Sequence, residues 1–151
     1  MYASYAELAH LCKALATSFP GAVFAPHHRS YGKNAMEAYK EMLDLARETG
    51  VPLHLTHCKL ATNENVGKAG ALLAMIDAAI DDGVDVTLDT YPYTPGSTTL
   101  ASLLPAWANQ GGPKETLKRL TDSELRNRIR HEMEDGCGQS NRKLYDKPRI
   151  I

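Results

Sequence analysis

An α/β fold with parallel strands is the expectation, and three observations carry it. Short apolar runs recur at residues 22–26, 51–57 and 84–90, each about one βα unit from the next. Between them lie stretches whose apolar residues recur at helical period, long enough for right-handed crossovers between adjacent parallel strands. Gly50 and Gly83 close these stretches just before the second and third strands.

Taken in order, Ser4-x-x-Glu7 has capping-box spacing ahead of Leu8, Leu11, Cys12 and Leu15, so a first helix runs to about Thr17. Phe19-Pro-Gly21 breaks it, and residues 22–26 form a strand with Pro26 at its end, where the missing N–H does least harm. The next helix starts near Asn34, which repeats the cap pattern with Glu37, and buries Met36, Tyr39, Met42, Leu43 and Ala46 before Gly50. Strand 51–57 leads into a polar loop over residues 61–65. A third helix follows, with Leu72, Leu73, Met75, Ile76, Ala79 and Ile80 on its buried side. Beyond strand 84–90 the pattern changes to a loop with Pro95 and Gly96, an apolar segment to Trp107 and a Gly111-Gly-Pro113 break. Two short helices come next, the second capped by Thr121-x-x-Glu124, burying Leu125, Ile129 and Met133, and ending at Gly136.

Composition narrows the function classes. The chain has 151 residues, 43% of them apolar and 23% charged, enough for one core. A formal charge of −1 without a long basic run argues against nucleic acid, and no apolar stretch is long enough to span a bilayer. Met1-Tyr-Ala-Ser-Tyr-Ala-Glu7 lacks the pattern of a secretory signal, so a cytoplasmic home is expected. Cys12, Cys58 and Cys137 have no metal-knuckle spacing and read as reduced thiols.

The chemistry gathers at three strand endings: Val23-Phe-Ala-Pro-His27-His28-Arg29, Val51-Pro-Leu-His-Leu-Thr-His57-Cys58-Lys59 and Val86-Thr-Leu-Asp-Thr-Tyr-Pro-Tyr93. Neighbouring strands lie ~4.8 Å apart, so imidazoles ending adjacent strands can converge on one ion. Alternation puts His57 on the face of Leu53 and Leu55 and turns His54 and Cys58 toward the helices; His27 shares a face with Val23 and Ala25, and His28 does not. His27 and His57 are therefore the candidate pair, although spacing alone favours ordinary core or loop histidines. His10, His54 and His131 are assigned no chemistry, and Trp107 is expected in the core.

Thr56-His57-x-Lys59, Leu88-Asp89-x-Tyr91-Pro92-Tyr93, Gly96-Ser97-Thr98, Leu104-Pro105-x-Trp107 and Gly111-Gly112 together resemble the N-acyl-D-amino-acid deacylases (D-aminoacylases), of the amidohydrolase superfamily of metal-dependent (β/α)8 barrels. The resemblance runs from about residue 3 to about residue 135. It implies a partial TIM-type barrel over residues 1–93, about three parallel strands with their helices. A helical insertion over 94–136 follows, and 137–151 is the start of a further barrel unit or a disordered tail. It makes His27 and His57 ligands of a hydrolytic zinc, and Lys59, Tyr91 and Ser97 substrate-binding residues for an N-acyl-D-amino acid, whose amide hydrolysis releases a carboxylate and a D-amino acid. Zinc lowers the pKa of bound water toward ~7 and polarises the carbonyl, while an ammonium and a phenol grip the substrate carboxylate.

Other readings stay open residue by residue. Lys59 also reads as a surface lysine, Tyr91 and Tyr93 as packing around Pro92, Ser97 as a turn cap, and Asp89 as a hydrogen-bonded structural carboxylate that is buried. The chain departs from the family where Ser30 and Tyr31 follow Arg29 in place of an acidic or amide residue and a glutamate, which removes any orienting role of that acid. The family's early His-x-His pair, its cysteine ligand and the aspartate that serves as general acid and base have no counterpart here, so no catalytic residue is assigned. The expectation is a segment of a roughly three-fold longer enzyme, inactive alone, with sheet edges open to self-association. The alternatives are a different amidohydrolase, dihydroorotase- or hydantoinase-like, and a non-catalytic remnant that persists as an interaction module.

Overall fold

The computed structural model describes residues 3–93 and 97–134, which belong to two compact units divided between Pro92 and Tyr93. The first holds helices α1 (Tyr5–Ser18), α2 (Ala35–Thr49) and α3 (Ala69–Asp81) and strands β1 (Leu53–Leu55) and β2 (Val86–Leu88). The strands pair in parallel, with Leu53 opposite Val86, His54 opposite Thr87 and Leu55 opposite Leu88.

Helix boundaries follow local chemistry. The Ser4 hydroxyl accepts from the Glu7 N–H at 3.2 Å, satisfying one of the donors that a helix start leaves open. The cap expected at Asn34 does not form: its φ of −102° and ψ of 29° are not the extended backbone that a capping side chain needs. The Ala35 N–H bonds the Gly32 carbonyl instead, at 2.9 Å. Gly50 ends α2 in the left-handed conformation, φ 71°, with its N–H on the Ala46 carbonyl.

The strand expected at residues 22–26 reduces to one parallel bridge, Phe24 to Leu53. Phe24 donates to the Pro52 carbonyl and accepts from His54. Farther along, Pro26 has no N–H to give, and the Thr56 hydroxyl bonds its carbonyl at 2.7 Å. The other two strands are likewise shorter than expected, three residues each.

The core of this unit lies between the sheet and the helices. Leu53 and Leu55 are fully buried among Tyr39, Met42, Leu43 and Ala46 of α2 and Leu72, Ile76 and Ala79 of α3. This reverses one expectation: the helix-facing side of β1 carries the leucines, and His54 lies on the opposite face. Met36 and Met75 are only half-buried, while Leu73 and Ile80 of α3 are exposed.

The second unit begins with 3-10 turns at Leu100–Leu103 and Ala106–Asn109, followed by α4 (Pro113–Thr121) and α5 (Ser123–Glu134). Pro113 starts α4, where its missing N–H costs nothing. The cap of α5 is Asp122, whose Oδ1 accepts from the N–H groups of Glu124 and Leu125 at 3.0 and 2.9 Å. Thr121 does not cap α5, because its hydroxyl bonds back to Leu117 and Lys118 within α4. Ile129 is buried, and Leu125 and Met133 are half-buried. Trp107, expected in the core, is half-buried and donates from Nε1 to Glu132 at 2.7 Å. Pro95, Gly96, Gly136 and Cys137 lie outside the described residues. Among the described residues no helix is long and apolar enough to cross a membrane.

At Gly50 an added Cβ would meet nothing within 4 Å, so the cost of Gly50→Ala is conformational alone. The expected loss is about 1 kcal/mol of stability, read as a lower midpoint in denaturant unfolding with an unchanged slope.

Candidate functional site

The ends of the Phe24 bridge, β1 and β2 bring His27, His57 and Asp89 to one level of the first unit. The two histidine rings stand edge to face with centroids 4.8 Å apart. His27 Nδ1 faces His57 Nε2 at 3.1 Å. Alternation along a strand does not account for this placement of His57. Its φ is +40°, a left-handed turn that begins where β1 ends, and an L residue adopts it at a cost of about 1–2 kcal/mol.

Asp89 holds that turn. Its Oδ1 accepts from the His57 backbone N–H at 2.6 Å, and its backbone carbonyl accepts from Cys58 N–H at 2.7 Å. The other carboxylate oxygen meets His54 Nε2 at 2.9 Å, and His54 Nδ1 contacts Thr87 Oγ1 at 2.7 Å. The His54 side chain, followed by the His57 N–H, holds the Asp89 carboxyl below its ordinary pKa. Asp89 is thus hydrogen-bonded as expected, but its side chain is half-exposed rather than buried. His54, assigned nothing from the sequence, is its anchor.

Behind the pair lies an aromatic wall. The Tyr31 hydroxyl is 2.7 Å from His57 Nδ1, and the Tyr31 ring is edge-on to both histidines. His28 is buried between Tyr31 and Tyr39, 4.2 Å from each ring. Burial, followed by the neighbouring His57, His27 and Lys59, pushes its pKa down to about 4, so its ring is neutral. Neither of its ring nitrogens has a hydrogen-bond partner among the described residues.

Lys59 stands beside this wall. Its ammonium bonds the Tyr91 hydroxyl and lies 4.7 Å from the ring centroids of both Tyr31 and Tyr91. Its backbone is fixed from α2, because the Tyr39 hydroxyl donates to the Lys59 carbonyl at 2.9 Å and accepts its N–H at 2.8 Å. The structure therefore brings together His27, His57, Lys59 and Tyr91. Ser97 belongs to the second unit, exposed ahead of the Leu100–Leu103 turn. Tyr93 is 71% exposed, against the expectation of aromatic packing.

Two nitrogens on one tetrahedral zinc, at bonds of 2.0–2.1 Å, stand about 3.3 Å apart, so the facing imidazoles fit such an ion. Among the described residues, no three His, Cys, Asp or Glu side chains are grouped to hold one. The pair is a partial ligand set.

Sequence reasoning passed over Tyr31, His54 and Asn65. Asn65 is buried, and its amide donates to the carbonyls of Gly32 and Ala61 at 2.8 and 2.7 Å, tying the turn after Tyr31 to the loop before α3. A tyrosine and an asparagine in loops carry no periodic signal; only the displacement of an acid at position 31 marked the first of them.

The tether on His57 is testable. Asp89→Ala should speed hydrogen exchange at the His57 and Cys58 amides and leave the Leu55 amide unchanged. Asp89→Asn, which keeps an acceptor oxygen, should retain most of the protection.

No family model matches the chain. It is 43% identical over 108 residues to N-acyl-D-glutamate deacylase of Alcaligenes xylosoxydans xylosoxydans, covering 72% of this chain and 21% of that relative. Its fold matches a crystal structure of N-acyl-D-glutamate deacylase from Bordetella bronchiseptica, complexed with zinc and a phosphonate mimic of the tetrahedral intermediate. There the TM-score is 0.57 at 35% identity, over 60% of this chain and 19% of that one. A crystal structure of D-aminoacylase, described as defining a novel subset of amidohydrolases, matches with a TM-score of 0.57 at 37% identity, over 63% and 19%. In sequence and in fold, this chain is similar to one segment of the D-aminoacylases and N-acyl-D-glutamate deacylases, about a fifth of their length.

Proposed function

We propose that the chain is part of a zinc-dependent amide hydrolase that cleaves N-acyl-D-amino acids, in a partial TIM-type barrel. The observation that carries this reading is the facing of His27 Nδ1 and His57 Nε2, in a chain 43% identical over 108 residues to an N-acyl-D-glutamate deacylase. In this reading His27 and His57 hold the ion, and further ligands come from residues beyond those described. Zinc, when bound, supplies Lewis-acid polarisation of the amide carbonyl and activation of water.

The chain's own residues supply binding and order. Lys59 presents an ammonium held by a neutral hydroxyl and two ring faces, an arrangement that leaves its charge for an anionic ligand. With Tyr91 it grips the substrate carboxylate. Ser97 enters the proposal on the resemblance alone. Asp89 and His54 keep the His57 turn in place before any ligand arrives.

One observation favours a second reading, a non-catalytic module in which the histidines are leftovers: the described residues contain no group of three ligands. Competition with a chromophoric zinc chelator separates the two. The first reading expects one-to-one zinc binding by this chain, weakened at least tenfold in His57→Ala and in His27→Ala. Binding that is no tighter than that of an isolated histidine pair, and unchanged in both variants, sinks it.

The carboxylate site has its own check. Titrating the chain with N-acetyl-D-glutamate and following backbone amide shifts should show Lys59→Gln binding about tenfold to a hundredfold more weakly, the worth of a hydrogen bond to a charged group. An equal affinity in the variant removes Lys59 from the site.

A further inference from the structure

The tyrosine at position 31 does a job that the resemblance leaves unfilled. Tyr31 is buried, and its hydroxyl sits 2.7 Å from the ring nitrogen of His57 that points away from His27. Two imidazole nitrogens can face one cation only when both present lone pairs, which requires the ring proton of His57 to reside on Nδ1. There it needs an acceptor, and an orienting partner on the second ring nitrogen is what fixes a ligand histidine. The Tyr31 hydroxyl is placed to be that acceptor.

The residue is itself held on several sides. The Ala61 N–H bonds the Tyr31 carbonyl at 2.7 Å. Asn65 ties Gly32 to Ala61, and the His28 ring lies 4.2 Å from the Tyr31 ring. A hydroxyl carried on so fixed a ring offers His57 Nδ1 a partner at a fixed place, 2.7 Å away.

We propose that Tyr31 is the positioning residue for His57, its hydroxyl accepting from Nδ1–H and thereby directing the Nε2 lone pair toward His27. The inference deepens the zinc reading and rests on it for its purpose, though the tautomer it requires exists without metal. A phenol stands here in the place of an acid, so the orientation is achieved without adding a negative charge beside the pair.

The test is long-range 1H–15N spectroscopy of the histidine rings in the metal-free 151-residue chain and in Tyr31→Phe, followed by zinc titration of both. The wild-type chain should hold His57 as the Nδ1–H tautomer, and Tyr31→Phe, which keeps the ring and its packing, should shift it toward a mixture and weaken zinc about 10–100-fold. An Nε2–H tautomer in the wild-type chain overturns the proposal without any variant, as do identical spectra and zinc affinities in the two proteins. If the wild-type chain takes up no zinc while the tautomer depends on Tyr31, the positioning role stands and the zinc reading of this chain falls.

Discussion

Strand β1 is bonded on both sides, and this double pairing sets the level at which the candidate site stands. Phe24 takes one edge and β2 the other, while Leu53 and Leu55 are sealed against the helices. Three short segments in parallel register end together, so residues far apart in sequence arrive at one height without long side chains reaching for each other. The strands need only three residues for this because the leucines, rather than the length of the ladder, provide the burial that keeps them in place.

At the end of that ladder the chain gives up regular structure. His57 enters a left-handed turn, and the departure persists because Asp89 and its anchor His54 over-determine it. Strain held by surrounding bonds is a common mark of a site that must be ready before its ligand arrives. Here the strained residue is also one of the two facing imidazoles, so the backbone turn and the ring geometry are parts of a single arrangement.

Much of this was legible in the sequence, and the reasons differ by residue. The three helices of the first unit announce themselves through period and through Ser4 and Gly50, features decided by a few neighbouring residues. The parallel order of the last two strands follows from the helix between them. The meeting of His27 with His57 follows from strand endings one βα unit apart. What stayed hidden depends on particular distances. Whether Leu53 or His54 faces the helices is decided by which side chains fill the core, and alternation gives the two faces without saying which is which. Residues 22–26 look like a full strand because composition does not reveal that Pro26 lets a threonine hydroxyl take over the pairing. Tyr31 and Asn65 act through single hydrogen bonds from loops, which leave no pattern to read.

Tyr39 carries a consequence of another kind. Its one hydroxyl meets both the N–H and the carbonyl of Lys59. The main chain at position 59 is therefore held from a helix, while its side chain separately meets Tyr91 and Tyr31. That main-chain hold does not depend on which group is displayed at position 59. By contrast, the buried tyrosine that looks like ordinary helix packing cannot become a phenylalanine without stranding two backbone groups at once.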